Sequence, residues 1–370
     1  MDEIQQTQKA GDNAVQNQIG TQIVVGIDEK RVREICDEKI ATAVRDLSFD
    51  AIDLAHQRIN TLTDKVVEKI KENPTHIQAF SDPSFQRDIV RAQIAAAESD
   101  REPDIETLAE LLLARMNGKL KRSTKTGLRK AIEIVSELED EELTALTVLL
   151  FCSRYLPNNT MASHVDQYLA YLDGDFAKLF AKSSLPEGTR WLKHLSILNC
   201  VEVNHFGSFK KVEDYYSEAV AGIVCAGITN DSAEHHDAAM ILDECGIGSN
   251  MLVPNDLLPG YVRLPVANLD DLSTLPMIIP NVPRIITMTP NEKQKEGLAK
   301  VINLYSKDSA LLQKVKATFA EKISGHGTLN QFKTWLSNLK HSFELTPIGE
   351  VLAYVNARRC IPELPVIELE

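Results

Sequence analysis

Seven basic side chains and no acid lie between Leu111 and Ile132: Arg115, Lys119, Lys121, Arg122, Lys125, Arg129 and Lys130. Cations at that density neutralise phosphate oxygens without reading base sequence, so the stretch is a candidate phosphate or nucleic-acid contact. Two features weigh against it. The acids Glu137, Glu139, Asp140, Glu141 and Glu142 follow at once, and no aromatic side chain is interleaved to stack on bases. The plainer reading is a solvated inter-helix loop balanced by those acids.

Glu234, His235, His236, Asp237, Glu244 and Cys245 form the densest set of metal-capable side chains. Adjacent histidines on a helix diverge by about 100°, and no H-x-x-x-H pair occurs, so a capped, polar helix start is expected here and no metal site. His194, Cys200 and His205 offer a thiol and imidazoles for nucleophilic chemistry. A hydrolase built from residues around 194–237 would need the fold to assemble them, and core packing of Cys200 is the simpler expectation. Gly246–Asn250, "GIGSN", lacks the preceding strand and third glycine of a dinucleotide fingerprint. Walker A, G-x-S-x-G and H-E-x-x-H patterns are absent from the sequence. No catalytic residue and no cofactor is therefore assigned.

The composition narrows the class. The chain has 370 residues, 44% of them apolar and 25% charged, which suits two or three globular domains. Its net charge of −13 disfavours a basic surface overall but leaves room for a local patch. Residues 1–25 carry neither a basic nor an apolar block of a secretory signal, and no run of about 18 apolar residues is present. None of the six cysteines falls in a C-x-x-C pair, which reads as reduced, packed thiols and a cytoplasmic location.

The elements that position these residues are mainly helical. Residues 1–26 are polar, with Val15, Ile19 and Ile23 at strand-like spacing; they are either a tail or a strand that pairs between copies. Residues 27–73 lack Gly and Pro and predict a long helix. Its apolar positions Ile52, Ala55, Ile59, Leu62, Val66 and Ile70 step by 3, 4, 3, 4, 4, close to a heptad seam. Ile52, Ile59, Leu62, Val66 and Ile70 are accordingly assigned to self-association, with Val15, Ile19 and Ile23. Residues 75–182 predict a helical array, opened by Asp82-Pro83. Residues 183–285 are mixed α/β, with "YVRLPV" a candidate edge strand because of its proline. Residues 286–370 return to helix, with Thr346-Pro347 starting the last one. Thr328–Leu339 and Thr346–Arg359, with "HSFE" as a wing, allow a weak helix–turn–helix reading.

The run "SDPSFQRDIVRAQIAAAES", then "LAELLLARM", then "AIEIVSELEDEELTALTVL", resembles a helical module of bacterial abortive-infection proteins of the Abi-alpha type. In these a leucine-rich helix is followed by another leading into an S-x-L-x-x-x-E-L-x-x-L turn. The whole chain also resembles an uncharacterised bacterial family known by locus-tag labels. The shared features are the polar Gly-Asp-Asn start, the long first helix and the terminal "LTPIGEVLAYVNARR". The resemblance implies a bacterial cytoplasmic protein linked to phage defence and transfers no catalytic residue. The expected function is a non-enzymatic homo-oligomer, a sensor or scaffold whose partners are itself and a phage or host protein trigger. The alternatives are nucleic-acid binding through residues 115–130 and a hydrolase near 194–237.

Overall fold

The computed structural model describes residues 33–34, 49–72, 74–116, 120–156, 164–270, 272–277 and 286–364. Val15, Ile19, Ile23, Lys119 and the stretch 35–48 fall outside them. No helix among the described residues is long and apolar enough to cross a membrane.

The protein is mainly α, as its periodicities predict. α1 (Phe49–Glu72) is followed by a 3-10 turn at Pro74–Ser81, then α2 (Pro83–Glu98), α3 (Glu102–Met116), α4 (Arg122–Ile134) and α5 (Asp140–Arg154). Asp82 caps α2, its carboxylate accepting from Ser84 N at 2.8 Å, with Pro83 in the first turn. α5 starts with a capping box between Glu139 and Glu142.

The seam assigned to self-association is largely used within the chain. Ile59, Leu62, Val66 and Ile70 are buried, and α1 packs on α2 and α3; Ile52, nearer its start, is half-buried. A heptad-like spacing fits any antiparallel neighbour helix as well as a second copy, and here the neighbours belong to the same chain.

α6 (Val165–Phe180) and α7 (Arg190–Ile197) lead into β1 (Val201–Asn204). Asn199 makes that turn with φ 55°, a left-handed conformation that asparagine tolerates. α8 (Val212–Ala219), β2 (Ile228–Thr229), α9 (Ala233–Glu244), β3 (Val253–Pro254) and β4 (Tyr261–Arg263) follow. β4 is the centre of a three-stranded antiparallel sheet in the order β2-β4-β3, not an edge. The strand ends at Arg263, before Pro265, so the proline removes no ladder hydrogen bond. β5 (Leu275–Met277) pairs with β6 (Ile286–Met288).

α10 (Glu292–Asn303), α11 (Ser309–Gly325), α12 (Gly327–Asn338), β7 (Ser342–Leu345) and α13 (Pro347–Cys360) complete the chain. β7 pairs antiparallel with β1, Val201 facing Leu345 and Asn204 facing Ser342.

The C-terminal elements are not a separate part. α13 packs against α3, α4 and α5 at the centre of the N-terminal array. Val351, Leu352, Ala353, Tyr354, Val355 and Ala357 are all buried, and Asn356 Nδ2 donates to Thr147 Oγ1 at 2.8 Å. A helix apolar around most of its girth belongs in an interior. That removes the helix–turn–helix reading, because α13 cannot enter a groove of DNA. α11 and α12 share a second core with α6 and α8, and α9 and α10 share a third with the β2-β4-β3 sheet.

Candidate functional site

A concavity of about 1120 Å³ among the described residues is a groove between α7, α12 and the β1–β7 ladder. Two amphipathic helices each bring one indole to it, Trp191 buried at its base and Trp335 half-buried. Trp191 in the first turn of α7 and Trp335 in the last turn of α12 approach to 5.7 Å between ring centroids. Both are held by main-chain acceptors: Trp191 Nε1 donates to Gly188 O at 3.0 Å and Trp335 Nε1 to Pro186 O at 2.9 Å. Phe343 of β7 makes a T-shaped contact with Trp191, ring centroids 5.7 Å apart. The orientation of the aromatic floor is thus fixed before any ligand arrives.

Leu192, Leu339, Val203 and Ile197 extend the apolar lining, and Ile197 is 75% exposed. Phe206, in the turn after β1, is fully exposed. At the β1–β7 end the lining is basic or imidazole: Lys193, Lys340, His205 and His341. Neither lysine has a carboxylate within ion-pair distance among the described residues. His341 Nδ1 lies 3.1 Å from His205 O, and the two rings are 5.2 Å apart. Glu187 is the only acid in the lining.

A second cleft of about 600 Å³ shares Leu185, Pro186, Glu187, Trp191 and Gln331 with the groove. It is lined by Glu139, Glu141, Glu142, Arg190 and His194. Both carboxylate oxygens of buried Glu142 lie 2.9 Å from His194 Nδ1, and Glu142 also accepts from Glu139 N at 3.1 Å. The carboxylate places the imidazole proton on Nδ1 and locks the ring. The same Glu142 therefore starts α5 and tethers α7 to it.

The thiol and the imidazoles named from the sequence are not brought together. Cys200 is fully buried, its thiol pushed up to about 12 by burial and by the nearby Glu142 charge. A thiol so far from ionising is a packing group, not a nucleophile. His194 opens on the acidic cleft, and His205 on the far end of the groove. His235 and His236 are spent at the start of α9. Ser232 caps that helix, His235 Nδ1 accepts from Asp231 N at 3.1 Å, and His236 Nδ1 lies 3.1 Å from Ser232 O. No group of three metal-capable side chains occurs among the described residues.

The basic run splits in two. Arg115 is 5% exposed; its Nε donates to Asp88 Oδ2 at 2.9 Å and its Nη2 to Ser84 Oγ at 2.6 Å. It is a buried structural cation, correcting its place among phosphate contacts. Lys121, just before α4, and Arg122 and Lys130 on it are exposed, Lys125 and Arg129 are half-buried, and Lys130 pairs with Glu133 at 2.6 Å.

The groove itself was missed. Its signal was available: the chain has only two tryptophans, and each lies at one end of an amphipathic helix beside a polar neighbour.

The described residues define a mainly helical chain with an aromatic-lined groove. A protein-family model described as ":-like" matches residues 26–369, and the chain belongs to that family. No curated protein matches the chain, and no solved structure does.

Proposed function

We propose that the chain is a non-catalytic recognition protein, a sensor or scaffold that takes a segment of another protein into the α7–α12 groove. The observation that carries this reading is the pair of anchored indoles in an open apolar groove. Small-molecule sites usually fall between about 300 and 1000 Å³ and enclose most of their ligand. This groove, at about 1120 Å³, exceeds that range slightly and is only partly enclosed, which suits an extended or helical peptide. Lys193 and Lys340 favour acidic residues beside an apolar anchor. The resemblance to abortive-infection proteins supports a phage or host protein as that partner.

The test is a peptide-display selection on the full chain, counter-selected on the Trp335→Ala variant. Enrichment of peptides with a Leu or aromatic anchor flanked by Asp or Glu is expected. Failure to enrich any sequence, or enrichment that Trp335→Ala retains, would overturn the reading.

Homo-oligomerisation is a separate part of the proposal, supported by the polar segment 1–26. Light scattering on the full chain and on a chain starting at Phe49 tests it. Truncation beyond Glu72 would strip α1 from its core and confound the result. A defined oligomer that becomes monomeric at Phe49 is expected; equal masses would remove this part.

A further inference from the structure

We infer that the outer face of α4 is a docking strip for the phosphate backbone of a nucleic acid, engaged without reading base sequence. The rotation of α4 is fixed by its buried side: Thr124, Gly127, Leu128, Ala131 and Ile132 face the core. That orientation leaves Arg122 exposed and Lys125 and Arg129 half-buried along one flank of the helix. At i, i+3 and i+7 they lie within about 60° around the axis and span about 10 Å along it.

None of the three has a carboxylate within ion-pair distance among the described residues. Neighbouring cations are neutralised: Arg115 by Asp88, Arg91 by Glu133 and Lys130 by Glu133. In a chain with 53 acids and 40 basic residues, a row of three unpaired cations is a concentration of positive potential. The row's length of about 10 Å matches three phosphate-to-phosphate intervals of one strand, at about 3.4 Å of axis each. Ser123 is exposed beside it and supplies a neutral donor of the kind that fixes phosphate oxygens, whereas Thr126 Oγ1 donates back to Arg122 O at 3.0 Å.

The face carries no apolar side chain to insert into a lipid surface and no aromatic ring to stack on a base. Those two absences select a linear polyanion over a membrane, and backbone contact over sequence readout. Acids flank the strip: Glu133 follows Arg129 by one turn of α4, and Glu202 of β1, opposite Glu344, lines a cleft of about 620 Å³ together with Arg122.

The experiment is fluorescence anisotropy of the full chain with a labelled 20-base-pair DNA duplex and a 20-nucleotide RNA, at 50 and 200 mM NaCl. Three phosphate contacts predict a logarithmic salt slope of about −2.7 on duplex DNA, or about 40-fold weaker binding at the higher salt. R122E/K125E/R129E should abolish binding, and each single Gln substitution should lower the slope by about 1. Glu202→Gln should tighten binding severalfold, and Lys314→Glu, exposed on α11, should leave it unchanged. Circular dichroism checks that each variant is folded; the single Gln variants keep the test decisive should the triple variant not fold. No binding at 50 mM, triple-variant binding equal to wild type, or attachment to phosphatidylserine vesicles with neither nucleic acid bound would each overturn the inference.

Discussion

Arg115→Ala is expected to destabilise the helical array by about 2–4 kcal/mol. Arg115 reaches from α3 to the start of α2, where Asp88 is as buried as the guanidinium itself. Removing one partner of a buried pair costs about 3–5 kcal/mol, because the other charge is stranded away from water. Two features pull the figure toward the lower end. Asp88 Oδ1 keeps Arg91 Nη1 at 3.1 Å, and Asp82 keeps its cap on Ser84 N. Urea unfolding followed by circular dichroism reads the change as a lower midpoint with an unchanged slope. Arg115→Met combined with Asp88→Leu should recover most of the loss, since no buried charge is then stranded. By contrast, replacing Arg122, Lys125 and Arg129 with Ala should cost about 1 kcal/mol in total or less. If Arg115→Ala falls within about 0.5 kcal/mol of wild type, Arg115 is solvated and belongs with the basic strip after all.

Three further outcomes follow from local geometry. Gly349→Ala should cost about 1–3 kcal/mol or more in a thermal melt, because a Cβ there would press on the rigid Cys200 carbonyl that accepts from Thr346 N. Asp82→Ala should cost about 1 kcal/mol at neutral pH, as loss of a helix cap does. The Ser84 main-chain hydrogen bond holds the Asp82 carboxyl below its ordinary value. Its contribution is therefore complete above the unfolded value and fades as pH falls through the folded one, so melts below about pH 4 should show the gap between wild type and variant closing. Cys152, Cys200 and Cys225, whose thiols burial pushes up to about 12, 12 and 11, should resist a thiol reagent until the protein is unfolded; native labelling of any of them would contradict their burial.

Features decided within a few residues were legible in the sequence. Asp82-Pro83, Ser232 and Thr346-Pro347 all start helices, because a side-chain oxygen satisfying free N–H groups is local chemistry. Features decided by which face meets which were not. The spacing from Ile52 to Ile70 is the same for a seam between copies and for a helix laid on its own array. Charge run together along the chain was equally blind: Arg115 and Arg122 are seven residues apart, yet one is sealed by Asp88 and the other faces outward. The groove depends on contacts such as Trp335 to Pro186, 149 residues apart, and no window along the sequence contains both.

The two proposed surfaces meet at one piece of backbone, and its pleat keeps them apart. Successive residues of a strand point to opposite faces. In β1, Val203 lines the tryptophan groove while Glu202 lines the cleft beside Arg122. The ladder with β7 holds this alternation, since Val203 faces Phe343 and Glu202 faces Glu344 in a fixed register. Thr346, just past β7, clamps the near end by donating from Oγ1 to Asn199 O at 2.5 Å. A substitution on one face of the ladder therefore leaves the other face's lining in place. Glu202→Gln reports on the phosphate strip and Trp335→Ala on the groove, so the failure of either proposal leaves the other standing.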